Sequence, residues 1–175
     1  AADARPRIDA AGCLAATAYG APTLATTPAV ARDRDLVAPP NPAFLGGAGD
    51  LNADVDALEV QLFAKFGVFP TEITTGTFDI TGDDLNFATC GLCVRLFTED
   101  TNDIGGYFAT AGTGTVTSGG VAGGTLDVTV NNIAFEHVNI DPLSTPLPFQ
   151  STPHPDGCTS ALTTASVRGT IVASQ

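Results

Sequence analysis

The chain has 175 residues, is 43% hydrophobic, and carries 19 Asp and Glu against 7 Lys and Arg, for a formal net charge of −12. That length suits one domain, the apolar content excludes wholesale disorder, and no run approaches the roughly 18 apolar residues of a membrane-spanning helix. The charge has the wrong sign for gripping phosphates, which excludes nucleic acid as a partner.

Met and Trp are absent and Lys65 is the single lysine. The chain opens Ala1-Ala2-Asp3-Ala4, small residues of the kind that follow a signal-peptidase cut. With so few lysines, Thr, Ser, Asn, Gly and Asp must cover the surface. Together with the cysteines discussed below, this composition reads as a secreted protein, extracellular or at the cell surface.

Residues 1–49 balance Asp3, Asp9, Asp33 and Asp35 against Arg5, Arg7, Arg32 and Arg34, and hold fifteen alanines and six prolines. Proline, as in Pro39-Pro40-Asn41-Pro42, blocks helix and central strand and favours extended chain. The segment cannot build a core alone. It reads as an extended N-terminal arm, able to reach on the order of 160 Å at ~3.3 Å per residue, and ordered only by lying against its own domain or a neighbour. Candidate arm strands are 14–19, 23–30 and 35–38.

Residues 50–175 read as the globular domain and hold fifteen acids against Lys65, Arg95 and Arg168, which accounts for the whole net charge of −12. At its start Asp50, Asn52, Asp54 and Asp56 place oxygen side chains at every second position, a spacing that suggests calcium. The EF-hand pattern would then want Gly and Glu where Val55 and Gln61 stand, so a solvated acidic entry to a strand competes with it. Calcium is the one ion the residues suggest, and no other cofactor is expected.

Period-two alternation predicts strands over 58–62, 77–81 and 125–131. A helix around 51–62 is the rival to the first, and the β-branched, alternating second half favours strand. Residues 86–98 suit a more buried strand, 107–117 alternate threonines on one face, and 167–172 form a last strand. Turn residues fall between them, including Thr81-Gly82-Asp83-Asp84 and Ser118-Gly119-Gly120. Five prolines make 141–157 a long connection. The fold expected is all-β, a β-sandwich or jelly-roll-like domain with an extended N-terminal arm.

Four cysteines permit three full pairings. The pairing favoured here is Cys90–Cys93, across Gly91 and Leu92, and Cys13–Cys158, with a bridge from Cys13 to a neighbouring subunit as the alternative. Closing the long loop is worth roughly 4–5 kcal/mol in the chain-entropy account. Cys90-Gly91-Leu92-Cys93 runs into Val94-Arg95-Leu96-Phe97, which reads as strand, whereas a redox pair wants a helix N-terminus. Cys13, Cys158, His137 and His154 are too scattered for a recognisable zinc pattern. His154, Asp156 and Ser160 form a hydrolase set on paper, but proximity in sequence is not triad geometry.

In order along the chain stand Asp56-Ala57-Leu58 leading to Leu62-Phe63, Gly76-Thr77-Phe78-Asp79-Ile80-Thr81-Gly82, Asn86-Phe87-Ala88-Thr89-Cys90-Gly91-Leu92-Cys93-Val94, and Tyr107-Phe108-Ala109-Thr110-Ala111-Gly112-Thr113. The series resembles uncharacterised secreted or lipoprotein-like bacterial proteins with a Cys-Gly-x-Cys-Val motif. The resemblance implies an exported, disulfide-bonded β domain and carries no catalytic residues.

The function expected is non-enzymatic: a self-assembling filament or surface-layer subunit whose arm adds a strand to the next copy, so that its partner is itself. A secreted calcium- or carbohydrate-binding adhesion module is the alternative.

Overall fold

The structure is a computed structural model that describes residues 12–24, 29–32, 44–51, 56–98, 106–140 and 150–173. Among them lie nine strands. In chain order they are β1 (Ala29–Arg32), β2 (Phe44–Asp50), β3 (Ala57–Phe63), β4 (Gly76–Asp79), β5 (Leu92–Phe97), β6 (Tyr107–Ser118), β7 (Thr125–Ile140), β8 (Ser151–Pro153) and β9 (Thr159–Ala173), with one 3-10 turn over Gly82–Leu85. The all-β class expected from the sequence is what the chain adopts.

The alternation that predicts β3 is the alternation that builds the interior. Leu58, Val60 and Leu62 are fully buried, while the residues between them are half-buried. The register sets Val60 between Gly47 of β2 and Val94 of β5, and Leu62 between Leu45 and Leu92. On β7, Leu126, Val128 and Val130 point inward; past Asn132, whose φ is +52°, the inward set becomes Ile133 and Phe135. Asn tolerates this left-handed conformation better than most residues, and it shifts the inward phase of a sixteen-residue strand.

The nine strands belong to one mixed sheet rather than to two separate ones. β6 pairs with β5 and β4 along one edge and with β7 along the other. Following the pairings from β6 through β5, β3, β2, β1, β9 and β7 leads back to β6. The sheet therefore closes on itself, and closure removes free edges from the strands of the ring. The interior is packed with side chains contributed by β2, β3, β5, β6, β7 and β9. A second, smaller cluster lies on the outer face, where Cys90, Cys93, Phe108, Val138 and Ile140 meet Phe63 and Phe87. Arg95 lies there with its guanidinium 4.8 Å from the Phe87 ring centre and 4.2 Å from that of Phe97.

The boundary expected between residues 49 and 50 falls inside β2. The described parts of 1–49 lie against the rest of the described chain, one of the two ways in which such a segment gains order. β1 is inserted between β2, antiparallel to it, and β9, parallel to it. Ala15 and Ala29 are buried in the main core, and Tyr19 and Leu24 pack against it. The physical reason is size: alanine reaches into gaps between packed strands where a larger side chain would clash. Residues 14–19 form no strand, although the Tyr19 N–H donates to the Ala161 carbonyl at 2.9 Å. Of 23–30, residues 23 and 24 form no strand, 25–28 lie outside the described residues, and Ala29 and Val30 belong to β1. The predicted strand 35–38 lies outside the described residues.

No alternation in the sequence marks β2, which carries Gly46-Gly47 at its centre. A Cβ at Gly47 would come within 2.7 Å of Val167 Cγ1. Glycine is needed there for the close approach of β2 to the side chains of β9. The strand expected over 86–98 begins only at Leu92. Upstream, the 3-10 turn buries Asp84, whose Oδ1 accepts the Gly91 and Leu92 N–H groups at 2.7 and 2.9 Å. A Cβ at Gly67 would collide with that carboxylate.

Candidate functional site

Both disulfides take the favoured pairing, Cys13–Cys158 and Cys90–Cys93, and the described residues contain no free cysteine. Cys90–Cys93 lies at the start of β5 beneath the outer aromatic cluster. Cys93 is fully buried and Cys90 nearly so, an enclosed setting unlike the exposed, electropositive one of a reactive thiol.

The four oxygen-bearing positions singled out for calcium, Asp50, Asn52, Asp54 and Asp56, do not come together as a described set. Asn52 and Asp54 lie outside the described residues. Asp50 is exposed and Asp56 is buried. The Tyr19 hydroxyl donates to Asp56 Oδ2 at 2.6 Å and accepts the Ala16 N–H at 3.1 Å. Burial, and then the bond to Asp56, hold the Tyr19 phenol well above its ordinary range. Asp56 thus anchors the N-terminal segment.

The paper triad fails on its serine. Ser160 Oγ donates to the Ala16 carbonyl at 2.6 Å, so its single proton is committed to backbone rather than to a histidine. The serine, like Asp56 and Cys158, fastens residues 12–20 to the body of the domain.

The grouping that sequence reasoning missed lies where β7 leaves the ring. The His137 N–H donates to the Cys158 carbonyl at 2.8 Å, and the His137 carbonyl accepts the His154 N–H at 2.8 Å. These two bonds fold the turn between β8 and β9 against β7. Within that turn the Cys158 N–H donates to Asp156 Oδ1 at 3.0 Å, which orients the carboxylate. Asp156 Oδ2 lies 2.6 Å from His137 Nδ1 and 3.0 Å from His154 Nδ1. The Tyr107, His137 and His154 rings stack in a column with centres 4.8 and 4.2 Å apart. The column runs outward from Tyr107, which is fully buried, through His137 to His154, a third of whose side chain is exposed at 33%.

Partial desolvation alone would raise the Asp156 pKa, but the bonds from Cys158 N–H, His137 and His154 outweigh it and hold the carboxyl below its ordinary range. These are the chain's two histidines. Sequence places them 17 residues apart, and only the successive pairing of β8 and β9 with β7 makes them neighbours. The legible hint was His154-Pro155-Asp156 standing two residues before Cys158.

The cluster also touches the N-terminal segment. The Ala15 N–H donates to the Tyr107 hydroxyl at 3.4 Å, and Cys13 bridges to Cys158. No helix among the described residues is long and apolar enough to cross a membrane. No family model matches the chain, and neither a curated protein nor a solved structure matches it.

Proposed function

We propose that the chain is a non-enzymatic structural protein of the cell exterior, and that copies of it join into a filament or surface layer by placing the N-terminal segment of one copy in the β1 slot of the next. The observation that supports this reading is β1 itself. The strand is four residues long, it closes the ring between β2 and β9, and its pairing with β9 is the parallel one among antiparallel pairings. Without it β2 and β9 would each present an unpaired edge, which is the template for strand addition. A second copy carries the same strand and fits the slot with the same contacts. Repeated head to tail, that contact does not close and gives a fibre. The two disulfides suit an oxidising exterior, and the acidic surface keeps neighbouring fibres apart.

Four residues, 25–28, separate the segment ending at Leu24 from β1. Fully extended they bridge only about 17 Å, so a transferred β1 carries Cys13 with it. In the assembled state Cys13 of one copy then bridges Cys158 of its neighbour. Negative-stain microscopy of native material tests the reading. Fibres or sheets are expected, and dispersed single chains at every protein concentration and ionic strength would overturn it.

A further inference from the structure

We infer that His137, His154 and Asp156 form a binding site for one divalent transition-metal cation. One donor atom from each of the three lies within 4.8 Å of the other two. Two imidazole nitrogens and one carboxylate oxygen are the donor set that suits zinc, copper or nickel. A calcium ion wants six or more oxygens instead, and the imidazoles here supply none. The site draws on residues that the strand-addition reading does not use as ligands, and it stands or falls independently of that reading.

The present arrangement places both histidine Nδ1 atoms against the single oxygen Asp156 Oδ2. His154 Nδ1 also receives the Asp156 N–H at 3.3 Å. In the tautomer that leaves Nδ1 without a proton, this nitrogen stands 3.0 Å from the carboxylate oxygen, and a cation that takes its lone pair in place of the Asp156 N–H is attracted by both. Ligation at about 2.0–2.2 Å from each donor needs only small rotations of His154 and Asp156. Both lie on the surface side of the cluster, with side chains 33% and 34% exposed. The third donor is held more firmly, since His137 is buried on β7 and stacked on Tyr107. Asp156 Oδ1 is turned inward to the Cys158 N–H, a supporting bond of the kind that aims a ligating carboxylate. With three protein donors, a four-coordinate ion keeps one position open to water or to a donor from another molecule.

The presence of only two histidines makes the test direct. The full chain, free of any added histidine tag, is titrated with zinc chloride while the histidine ring signals are followed by NMR. Both rings are expected to shift together and saturate at one zinc per chain, with no such response to calcium chloride. His154→Gln and Asp156→Asn are each expected to weaken zinc binding by more than about tenfold, a loss that removal of even a supporting group produces at metal sites. The far-ultraviolet circular dichroism of both variants should match that of the parent chain. Should either variant fail to fold, the ring signals of the parent chain decide alone. Ring signals that stay put, that respond singly, or that respond equally to calcium would overturn the assignment. Zinc binding of undiminished strength in both folded variants would overturn it as well.

Discussion

At the scale of single residues, the polar groups that count are those buried with a defined partner. Asp84 is 2% exposed and takes two backbone N–H groups at the turn into β5. Asp84→Ala strands both donors away from water and should cost about 2–4 kcal/mol. Asp84→Asn keeps one carbonyl oxygen in place and should cost less, and urea unfolding of the two variants checks the order. Tyr19 gives a pH dependence. An unfolded tyrosine loses its proton near pH 10, whereas burial and the bond to Asp56 let the folded chain hold that proton to higher pH. The unfolded state then binds fewer protons above about pH 10, so stability is intact below that pH and falls as pH rises beyond it. Tyr19→Phe should lose about 1–3 kcal/mol near neutrality by removing the hydroxyl that donates to buried Asp56, and its stability should fall less between pH 10 and 11 than the parent's. Thermal unfolding across that interval distinguishes the two. The sequence displayed Asp56 as one of a row of oxygens, but nothing local marked it as the acceptor of a tyrosine 37 residues upstream.

At the scale of elements, local pattern was legible and remote pairing was not. Alternation marked β3, β4, β6 and the first half of β7, because period two is what a strand with one buried face imposes. It did not mark the second half of β7, where the inward phase shifts at Asn132, or β2, whose glycines serve a close approach to Val167 that only the tertiary fold reveals. The N-terminal composition was read as a limb because alanine and proline carry little core-forming surface, yet the slot between β2 and β9 calls for a strand of small residues. The two disulfides should then differ in weight. In the chain-entropy account, losing the Cys13–Cys158 bridge, with a sequence separation of 145, costs roughly 4–5 kcal/mol. Losing Cys90–Cys93, with a separation of 3, costs about 2 kcal/mol by the same relation. The Cys13→Ser/Cys158→Ser chain should also lose hydrogen-exchange protection at the Tyr19 and Thr163 amides, which pair across the N-terminal segment and β9. The Val60 and Val94 amides, at the centre of β3 and β5, should keep theirs.

At the scale of the whole molecule, the ring is complete only when β1 is in place, and the segment that supplies it is fastened by the Tyr19–Asp56 bond, the Ser160–Ala16 bond and the Cys13–Cys158 bridge. A copy alone satisfies all of these within itself, as the structure shows. In the proposed filament the same contacts would form between copies, with the slot of each filled by its neighbour and the bridge carried along. The two states share every short-range contact and differ in which chain supplies the strand, so composition could point to an arm without saying whose domain it completes. The measurement that separates them is denaturing electrophoresis of native material without reductant. The account predicts a ladder of covalently linked chains that collapses to the single 17.7 kDa species once thiol is added. A single-chain band without reductant, with every Cys13–Cys158 bridge inside one chain, would contradict it.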